Sequence, residues 1–215
     1  MITITAYRWV PPFAQGLVRD LRARWALEEI GLPYRVNLIA HPDRLSPDHM
    51  ARQPFAQIPV YEEDGLTLFE SGAILLHIAE KSELLLPKDA AGHARAIQWI
   101  FAALNSVEQF VQGYVALDAF YGNEEWAKLR KRSAREELVT RLKRLSERLG
   151  QREYLEDRFT AGDLMMSNVL RILRDTDMLE QFPNLAAYRA RCEARPAFQR
   201  ALAGQLGDFE KQNAA

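Results

Sequence analysis

The pattern of apolar residues changes twice within the first 39 residues of this 215-residue chain. Residues 2–6 alternate between apolar side chains and threonine, which predicts a short strand. Residues 15–30 carry apolar side chains at helical spacing, and Gly31 followed by Pro33 ends that helix before a second strand at residues 34–39. Because two parallel strands joined by a helix require a right-handed crossover, this part is predicted to form an open α/β sheet.

The next part of the chain is predicted to complete that sheet. A turn-rich segment at residues 41–53 contains two prolines and a short helix, and it leads to a strand that begins at Ile58-Pro59. The turn Glu63-Asp64-Gly65 separates this strand from another at residues 66–69, so the two should pair as an antiparallel hairpin. A helix at residues 72–81 is predicted to cover the sheet.

Beyond this segment the pattern is wholly helical. Leu84-Leu85-Leu86-Pro87 and the polar run after it predict a linker at residues 83–91, between a first domain at residues 1–82 and an all-helical second domain at residues 92–215. Two apolar stripes at helical spacing predict the core of a helical bundle in the second domain. The first stripe is Ile97, Phe101, Leu104, Val107, Val111 and Tyr114, and the second is Leu138, Leu142, Leu145 and Leu149.

Composition and charge narrow the classes of function. Hydrophobic residues make up 48% and charged residues 27% of the chain, which is the ordinary range for a globular protein. The net charge of −1 gives no electrostatic reason to expect a nucleic acid or an acidic membrane surface as partner. No secretion signal or bilayer-spanning segment is evident, and the single cysteine, Cys192, suits a reducing compartment, so we expect a cytoplasmic protein. The histidines lack the paired spacing of metal ligands, so no metal is expected.

Two short segments have the chemistry to bind an amino-acid or peptide ligand. Pro59 begins a strand without removing a ladder bond, and a cis Ile58-Pro59 bond would turn the Ile58 amide and carbonyl outward, towards an extended peptide. Ser71 is a good N-cap, the free amides after it suit an anion, and Glu70 beside it suits an ammonium group. Taken singly, each segment also fits a plainer interpretation, namely a trans bond at a strand start or an N-cap preceded by a surface acid.

The chain resembles cytosolic glutathione transferases in five short motifs that occur in the family's order and at its spacing. They are ALEEIGLPY at 26–34, QIP at 57–59, ESGAI at 70–74, FTAGD at 159–163 and RPAF at 195–198. Within the fourth motif, Thr160 and Asp163 have the pattern of a capping box, which we assign to folding. The resemblance implies a thioredoxin-like first domain, an all-helical second domain, a homodimer, and glutathione as the co-substrate.

The resemblance assigns six residues to glutathione, named here from its glycyl end to its γ-glutamyl end: Arg44, Gln57, Ile58, Pro59, Glu70 and Ser71. The arginine would bind the glycyl carboxylate, and the glutamine would lie near it. The isoleucine would pair through its backbone with the cysteinyl part, next to a proline that is expected to be cis. The glutamate would bind the γ-glutamyl ammonium and the serine its carboxylate.

The segment between the first strand and the first helix departs from the family. Members usually present Tyr, Ser or Cys there to stabilise or use a thiolate, but residues 9–20 contain no Ser, Cys or Thr. Three sources of thiol activation remain: a hydrogen bond from Tyr7, the charge of Arg19, and the positive end of the first helix. We favour Tyr7, with an aromatic ring packed on the sheet as the alternative. The missing cysteine argues against mixed-disulfide chemistry.

The preferred function is conjugation of the glutathione thiolate to a small hydrophobic electrophile. We expect the electrophile to bind between the domains against Phe110, Tyr114 and Phe120, although core packing explains the same aromatic residues. A glutathione-dependent isomerase or dehalogenase would use the same site. A non-catalytic interaction or regulatory module that keeps this fold is the alternative from another class.

Overall fold

The computed structural model describes residues 1–213, with side chains as far as residue 209, and the chain divides into two compact units. The first unit contains Met1–Leu86 together with the chain from Ala194 onward, and the second contains Pro87–Glu193. This differs in two places from the predicted division at 1–82, 83–91 and 92–215. Leu85 and Leu86 are buried, so the predicted linker begins inside the first unit. The last helix also belongs to the first unit.

A four-stranded mixed sheet forms the framework of the first unit. Its order is β2-β1-β3-β4, in which β1 and β2 are parallel while β3 runs antiparallel to both β1 and β4. The predicted crossover and the predicted hairpin are therefore confirmed, and the hairpin turn places Asp64 and Gly65 at positive φ. The strands are β1 (Ile2–Tyr7), β2 (Tyr34–Ile39), β3 (Val60–Glu63) and β4 (Leu66–Leu68).

Three helices connect or cover these strands: α1 (Asp20–Ile30), α2 (Pro47–Arg52) and α3 (Ser71–Ala79). The prediction that the first helix begins at Gln15 is wrong. Pro12–Ala14 form a separate 3-10 helix, and Gly16 at φ 75 takes the backbone out of the right-handed helical region before α1 begins. The predicted end is confirmed, because Gly31 adopts the left-handed conformation there.

The regular structure of the second unit is helical, with α4 (Ala90–Phe101), α5 (Gln109–Ala119), α6 (Glu125–Leu149), α7 (Ala161–Arg171) and α8 (Pro183–Glu193). α7 begins at the predicted capping box. The Thr160 amide donates to Asp163 Oδ2 at 2.9 Å, and Thr160 Oγ1 accepts a hydrogen bond from the Gly162 amide at 3.2 Å. A π-helical segment, Ala102–Glu108, joins α4 to α5.

This π-helical segment shifts the buried face of the α4–α5 region by one residue. Near its end and after it, the predicted core residues Val107, Val111 and Tyr114 are buried. Before it, the prediction for Phe101 is wrong: that ring is 54% exposed, and the neighbouring Ile100 is buried instead. One extra residue in a π turn advances the phase of a helix by about 100°. A single 3.6-residue stripe therefore fails across the segment, whereas the predicted stripe of α6 is buried throughout.

The last helix, α9 (Pro196–Asn213), packs against α1 in the first unit. The rings of Trp25 and Phe198 meet edge to face with centroids 4.8 Å apart, and Arg24 Nη2 donates to Asp208 Oδ2 at 2.8 Å. Within residues 1–213, no helix is long and apolar enough to cross a membrane. The same described range contains no group of three or more His, Cys, Asp or Glu side chains placed to hold a metal ion.

Candidate functional site

Most of the predicted site residues of the first unit lie at the end of the sheet where β1 finishes. Val60, the first residue of β3, lies opposite Thr5, so the segment that leads into β3 lies beside the end of β1. β4 pairs antiparallel with β3, so the residues after β4 return to the same end. The residues after β2 also begin there, and the rings of Tyr7 and His41 are 5.4 Å apart. We call this end the site edge, and it collects Tyr7, Arg44, Gln57, Ile58, Pro59, Glu70 and Ser71.

The segment that leads into β3 contains Ile58-Pro59, and a hydrogen bond from His49 of α2 holds the residue before them. The peptide bond between these residues is cis, as predicted, and both residues are buried while Gln57 is exposed. His49 of α2 is buried and its Nε2 lies 2.7 Å from the Gln57 carbonyl oxygen. Because a carbonyl only accepts, the histidine carries its proton on Nε2. The histidine thus anchors the backbone just before Ile58 and leaves the Gln57 side chain exposed.

Glu70 is the N-cap of α3, so the prediction that Ser71 holds that position is wrong. Glu70 has φ 69, a backbone conformation that is uncommon outside glycine and costs about 1–3 kcal/mol. Its side chain is exposed and bonds no group in the described part of the chain. Ile74 makes the first intrahelical bond, to the Glu70 carbonyl at 2.9 Å, so the amides of Ser71, Gly72 and Ala73 lack intrahelical acceptors. The helix start therefore presents a carboxylate beside a set of N–H donors.

The Ser71 hydroxyl is bonded from behind by a residue that was not among those predicted. Arg22 of α1 donates from Nη1 to Ser71 Oγ at 3.0 Å, and the two residues are 3% and 6% exposed. Arginine is almost never fully buried without a partner, so its place next to the apolar positions Leu21 and Trp25 was the available signal. An arginine at such a position predicts a buried polar contact. Its partner, Ser71, could not be predicted, because it depends on how α1 and α3 pack.

Tyr7 is half-buried, and its burial raises the pKa of the phenol above the usual 10, with the positive charge of Arg44 acting in the opposite direction. The phenol therefore keeps its proton at neutral pH and is a hydrogen-bond donor. Arg44 lies in the short 3-10 helix His41–Leu45 and donates from Nη1 to the Ala56 carbonyl at 3.4 Å. Its buried Nε has no acceptor within the described residues. Arg44 thus places a cation whose charge acts on the phenol and whose guanidinium is bonded to the segment that leads to β3.

The positive end of α1 is occupied by its own side chains. Asp20, the first residue of α1, is buried and accepts hydrogen bonds from Arg24 Nε at 2.7 Å and from Gln205 Nε2 at 2.8 Å. Burial raises the pKa of the Asp20 carboxyl, against the Arg24 guanidinium. A carboxylate in the first turn offsets the positive potential at the start of a helix. That potential was one of the three predicted sources of thiol activation. Arg19 is half-buried at the N-cap position of α1.

The predicted electrophile contacts lie in the second unit, and two of the three line one groove. Phe110 and Tyr114 of α5 form part of a groove of ≈ 390 Å³ between α5 and α6, together with Tyr121. The Arg141 guanidinium lies over the Phe110 ring, 4.3 Å from its centroid. Phe120 is not among the lining residues; its ring is exposed, and its centroid lies 6.4 Å from that of Tyr121.

Comparison with known proteins identifies the family of the chain. Residues 13–80 match the model "Glutathione S-transferase, N-terminal domain", and residues 110–204 match the model "Glutathione S-transferase, C-terminal domain". Glutathione S-transferase 4 of Zea mays is 30% identical over 210 residues, which cover 90% of this chain and 89% of that protein.

Solved structures with the same fold agree with this match. A glutathione transferase from Burkholderia graminis, with two glutathione molecules bound per subunit, superposes with a TM-score of 0.81 at 29% identity and covers 94% of this chain and 87% of its own. A glutathione transferase family member from Pseudomonas fluorescens, with two glutathione bound, has a TM-score of 0.82 at 27% identity and covers 94% and 92%. With a thioredoxin-like first unit and a helical second unit, the chain belongs to the glutathione S-transferase family.

Proposed function

We propose that the protein is a glutathione transferase that conjugates the glutathione thiolate to a small hydrophobic electrophile. The observation that carries this proposal is the start of α3, where the exposed Glu70 carboxylate, bonded to no described group, stands next to first-turn amides that lack intrahelical acceptors. A carboxylate and a set of N–H donors side by side suit an ammonium and a carboxylate on one carbon, which is the head group of a γ-glutamyl residue. Glutathione bound in the two solved relatives supports the same ligand here.

The remaining peptide contacts follow from the order of residues along the site edge. The cysteinyl part would pair with the backbone of Ile58, next to Pro59. The glycyl carboxylate would lie near Gln57 and within reach of Arg44, whose guanidinium is already held at the Ala56 carbonyl. In this arrangement the ligand extends from the start of α3 to the segment that precedes β3.

Tyr7 is the proposed donor to the thiolate, because its phenol keeps its proton at neutral pH and stands at the end of β1. Arg19 is the second proposed source of stabilisation for the thiolate, because the Asp20 carboxylate offsets the positive potential at the start of α1. The thiolate would form a sulfur–carbon bond while the electrophile releases a leaving group or takes up the electron pair. The protein contributes proximity and a stabilised thiolate. The electrophile would lie against Phe110 and Tyr114, and against the exposed Phe120.

A titration of the protein with glutathione, followed by thermal unfolding, tests the proposal. A ligand that binds only the folded state at one hundred times its Kd adds about 2.7 kcal/mol of stability, so the melting temperature should rise. Glu70→Gln should weaken binding by about tenfold to a hundredfold, because a hydrogen bond to a charged group contributes about 1.5–3 kcal/mol. Glu80→Gln, an exposed acid at the other end of α3, is the matched control and should leave binding unchanged. No stabilisation at millimolar glutathione would contradict the proposal.

The absence of Ser, Cys and Thr from residues 9–20 favours a second candidate, a non-catalytic interaction or regulatory module. Such a module would show no conjugation with any electrophile, whether or not it binds glutathione. A glutathione-dependent isomerase or dehalogenase would use the same site as the transferase. A screen of aryl halides, epoxides, unsaturated carbonyl compounds and haloalkanes, with product analysis, separates these reactions.

The proposal includes a homodimer in the cytoplasm, where the single cysteine, Cys192, would stay reduced. Phe55 and Phe69 form an exposed edge-to-face pair on the first unit, with ring centroids 6.0 Å apart. Exposed aromatic surface of this kind suits coverage by a second copy. Light scattering at micromolar concentration should give the mass of a dimer, and Phe55→Ser should shift it towards the monomer. A wild-type monomer under these conditions would remove the dimer from the proposal.

A further inference from the structure

A buried arginine stands directly behind the proposed γ-glutamyl site. Arg22 Nη1 lies 3.0 Å from Ser71 Oγ, and both residues are more than nine-tenths buried. The contact joins the first turn of α3 to the helix that follows β1. Since Ser71 is the residue proposed to meet the ligand's α-carboxylate, Arg22 would act on that carboxylate through Ser71.

The chemistry of the two groups decides which of them donates the hydrogen bond. A guanidinium has only N–H donors, so the Ser71 oxygen accepts from Arg22 and keeps its own hydrogen for another acceptor. Ser71 makes no other side-chain hydrogen bond within the described residues. Holding the oxygen from behind directs the hydroxyl hydrogen away from Arg22, and donation by a cation makes that hydrogen a stronger donor.

We propose that Arg22 is a positioning residue that holds the Ser71 hydroxyl as a donor to the α-carboxylate of the γ-glutamyl group. The proposal rests on the glutathione binding proposed above. It also makes Arg22 part of the selectivity for that carboxylate, because a ligand without it has nothing to accept the oriented hydrogen. The alternative is that Arg22 only ties α1 to α3, in which case every ligand of the site should suffer equally from its loss.

The test compares glutathione with 4-aminobutyryl-cysteinylglycine, which is glutathione without its γ-glutamyl α-carboxylate. Calorimetry should show that Arg22→Met weakens the binding of glutathione about tenfold, equivalent to about 1.4 kcal/mol, and changes binding of the analogue less than twofold. Ser71→Ala should have the same selective effect. In the Ser71→Ala background, Arg22→Met should cause no further loss of preference for glutathione. Arg52→Met, which removes another arginine of the first unit from its ion pair with Glu62, is the control and should change neither affinity.

The outcomes separate this inference from the proposed function. If the wild-type protein binds neither ligand, the proposed function fails and Arg22 has no carboxylate to position. If it binds glutathione and Arg22→Met weakens both ligands equally or neither, only the positioning role is overturned. Arg22→Lys keeps the charge with a shorter reach, and it decides the matter if circular dichroism shows that Arg22→Met does not fold. It should lose part of the preference for glutathione, and an unchanged preference in a folded Arg22→Lys protein would overturn the inference.

Discussion

The start of α3 and the segment that follows β1 begin at the same edge of the sheet, yet they are built in opposite ways. At α3, the Glu70 side chain is exposed and bonds no described group, and the amides after it lack intrahelical acceptors. In the other segment, Trp9 and Phe13 expose apolar rings, and the first residue of α1 is a carboxylate already bonded by two neighbours. The start of α3 thus has a carboxylate and amides without hydrogen-bond partners among the described residues. At the start of α1, the Asp20 carboxylate is bonded by Arg24 and Gln205.

This contrast separates the recognition of the peptide from the activation of its thiol. In the proposed function, recognition at α3 depends on the Glu70 carboxylate and on first-turn backbone amides, and any helix start supplies such amides. Activation depends on one donor atom near the sulfur, and residues 9–19 contain no Ser, Cys or Thr to provide it. We therefore propose that a neighbour of the segment activates the thiol, and Tyr7 is the neighbour whose protonation state suits this role.

The largest effect is expected for Asp20→Ala, which tests whether the first residue of α1 contributes to the free energy of unfolding. Asp20→Ala would leave Arg24 buried without its nearer carboxylate, although Asp208 still accepts from the same guanidinium. Removing one partner of a buried ion pair costs about 3–5 kcal/mol, and we expect a value near the lower limit. Urea unfolding followed by circular dichroism measures this loss.

The control for Asp20 is another acid in the first turn of a helix. Asp48 of α2 is exposed, so Asp48→Ala should cost less than about 1 kcal/mol. The contrast between the two regions would break if Asp20→Ala kept its stability and at the same time lowered the pKa of the bound thiol. That result would mean that the helix dipole, freed from Asp20, acts on the sulfur.

Several local features of the fold could be predicted from the sequence, because each depends on a few neighbouring residues. The hairpin at Asp64 and Gly65 and the end of α1 at Gly31 each depend on one or two residues with restricted or unusual backbone preferences, whereas the cis bond before Pro59 was expected from the family resemblance. The capping box at Thr160 and Asp163 is equally local. These features carry their own cause, so they do not require knowledge of distant parts of the chain.

What the sequence did not reveal depends on contacts between distant segments. Arg22 and Ser71 are 49 positions apart, and the bond from Arg24 to Asp208 spans 184 positions. No periodicity links such pairs, so neither the partner of Arg22 nor the return of α9 to the first unit was predicted. The exposed Phe101 has a different cause, because one π turn changes the phase of an otherwise regular stripe.

The second prediction tests which group stabilises the thiolate. Tyr7→Phe removes the phenol hydrogen, so the pKa of bound glutathione's thiol should rise by about one unit, or about 1.4 kcal/mol. Because a higher thiol pKa leaves less thiolate, conjugation should slow about tenfold below that pKa and recover as the pH rises above it. Ultraviolet absorbance of the thiolate against pH measures the shift. Tyr34→Phe is the control, since burial raises the pKa of that phenol to about 12 but it sits at the start of β2, away from the site edge.

The smallest expected effect concerns Arg44, whose charge acts on Tyr7 and whose guanidinium donates to the Ala56 carbonyl. Arg44→Met should weaken glutathione about fivefold, or about 1 kcal/mol, while the binding of γ-glutamylcysteine, which lacks the glycyl carboxylate, should not change. Removing this cation should also raise the pKa of Tyr7 further, because the Arg44 charge now favours the phenolate. Calorimetry with both peptides and NMR titration of a labelled Tyr7 ring measure the two effects, with Arg35→Met at the opposite end of the strands as control. Equal losses for both peptides would show that Arg44 supports the loop at Ala56 and does not recognise the glycyl end, and the binding region would then end at Gln57.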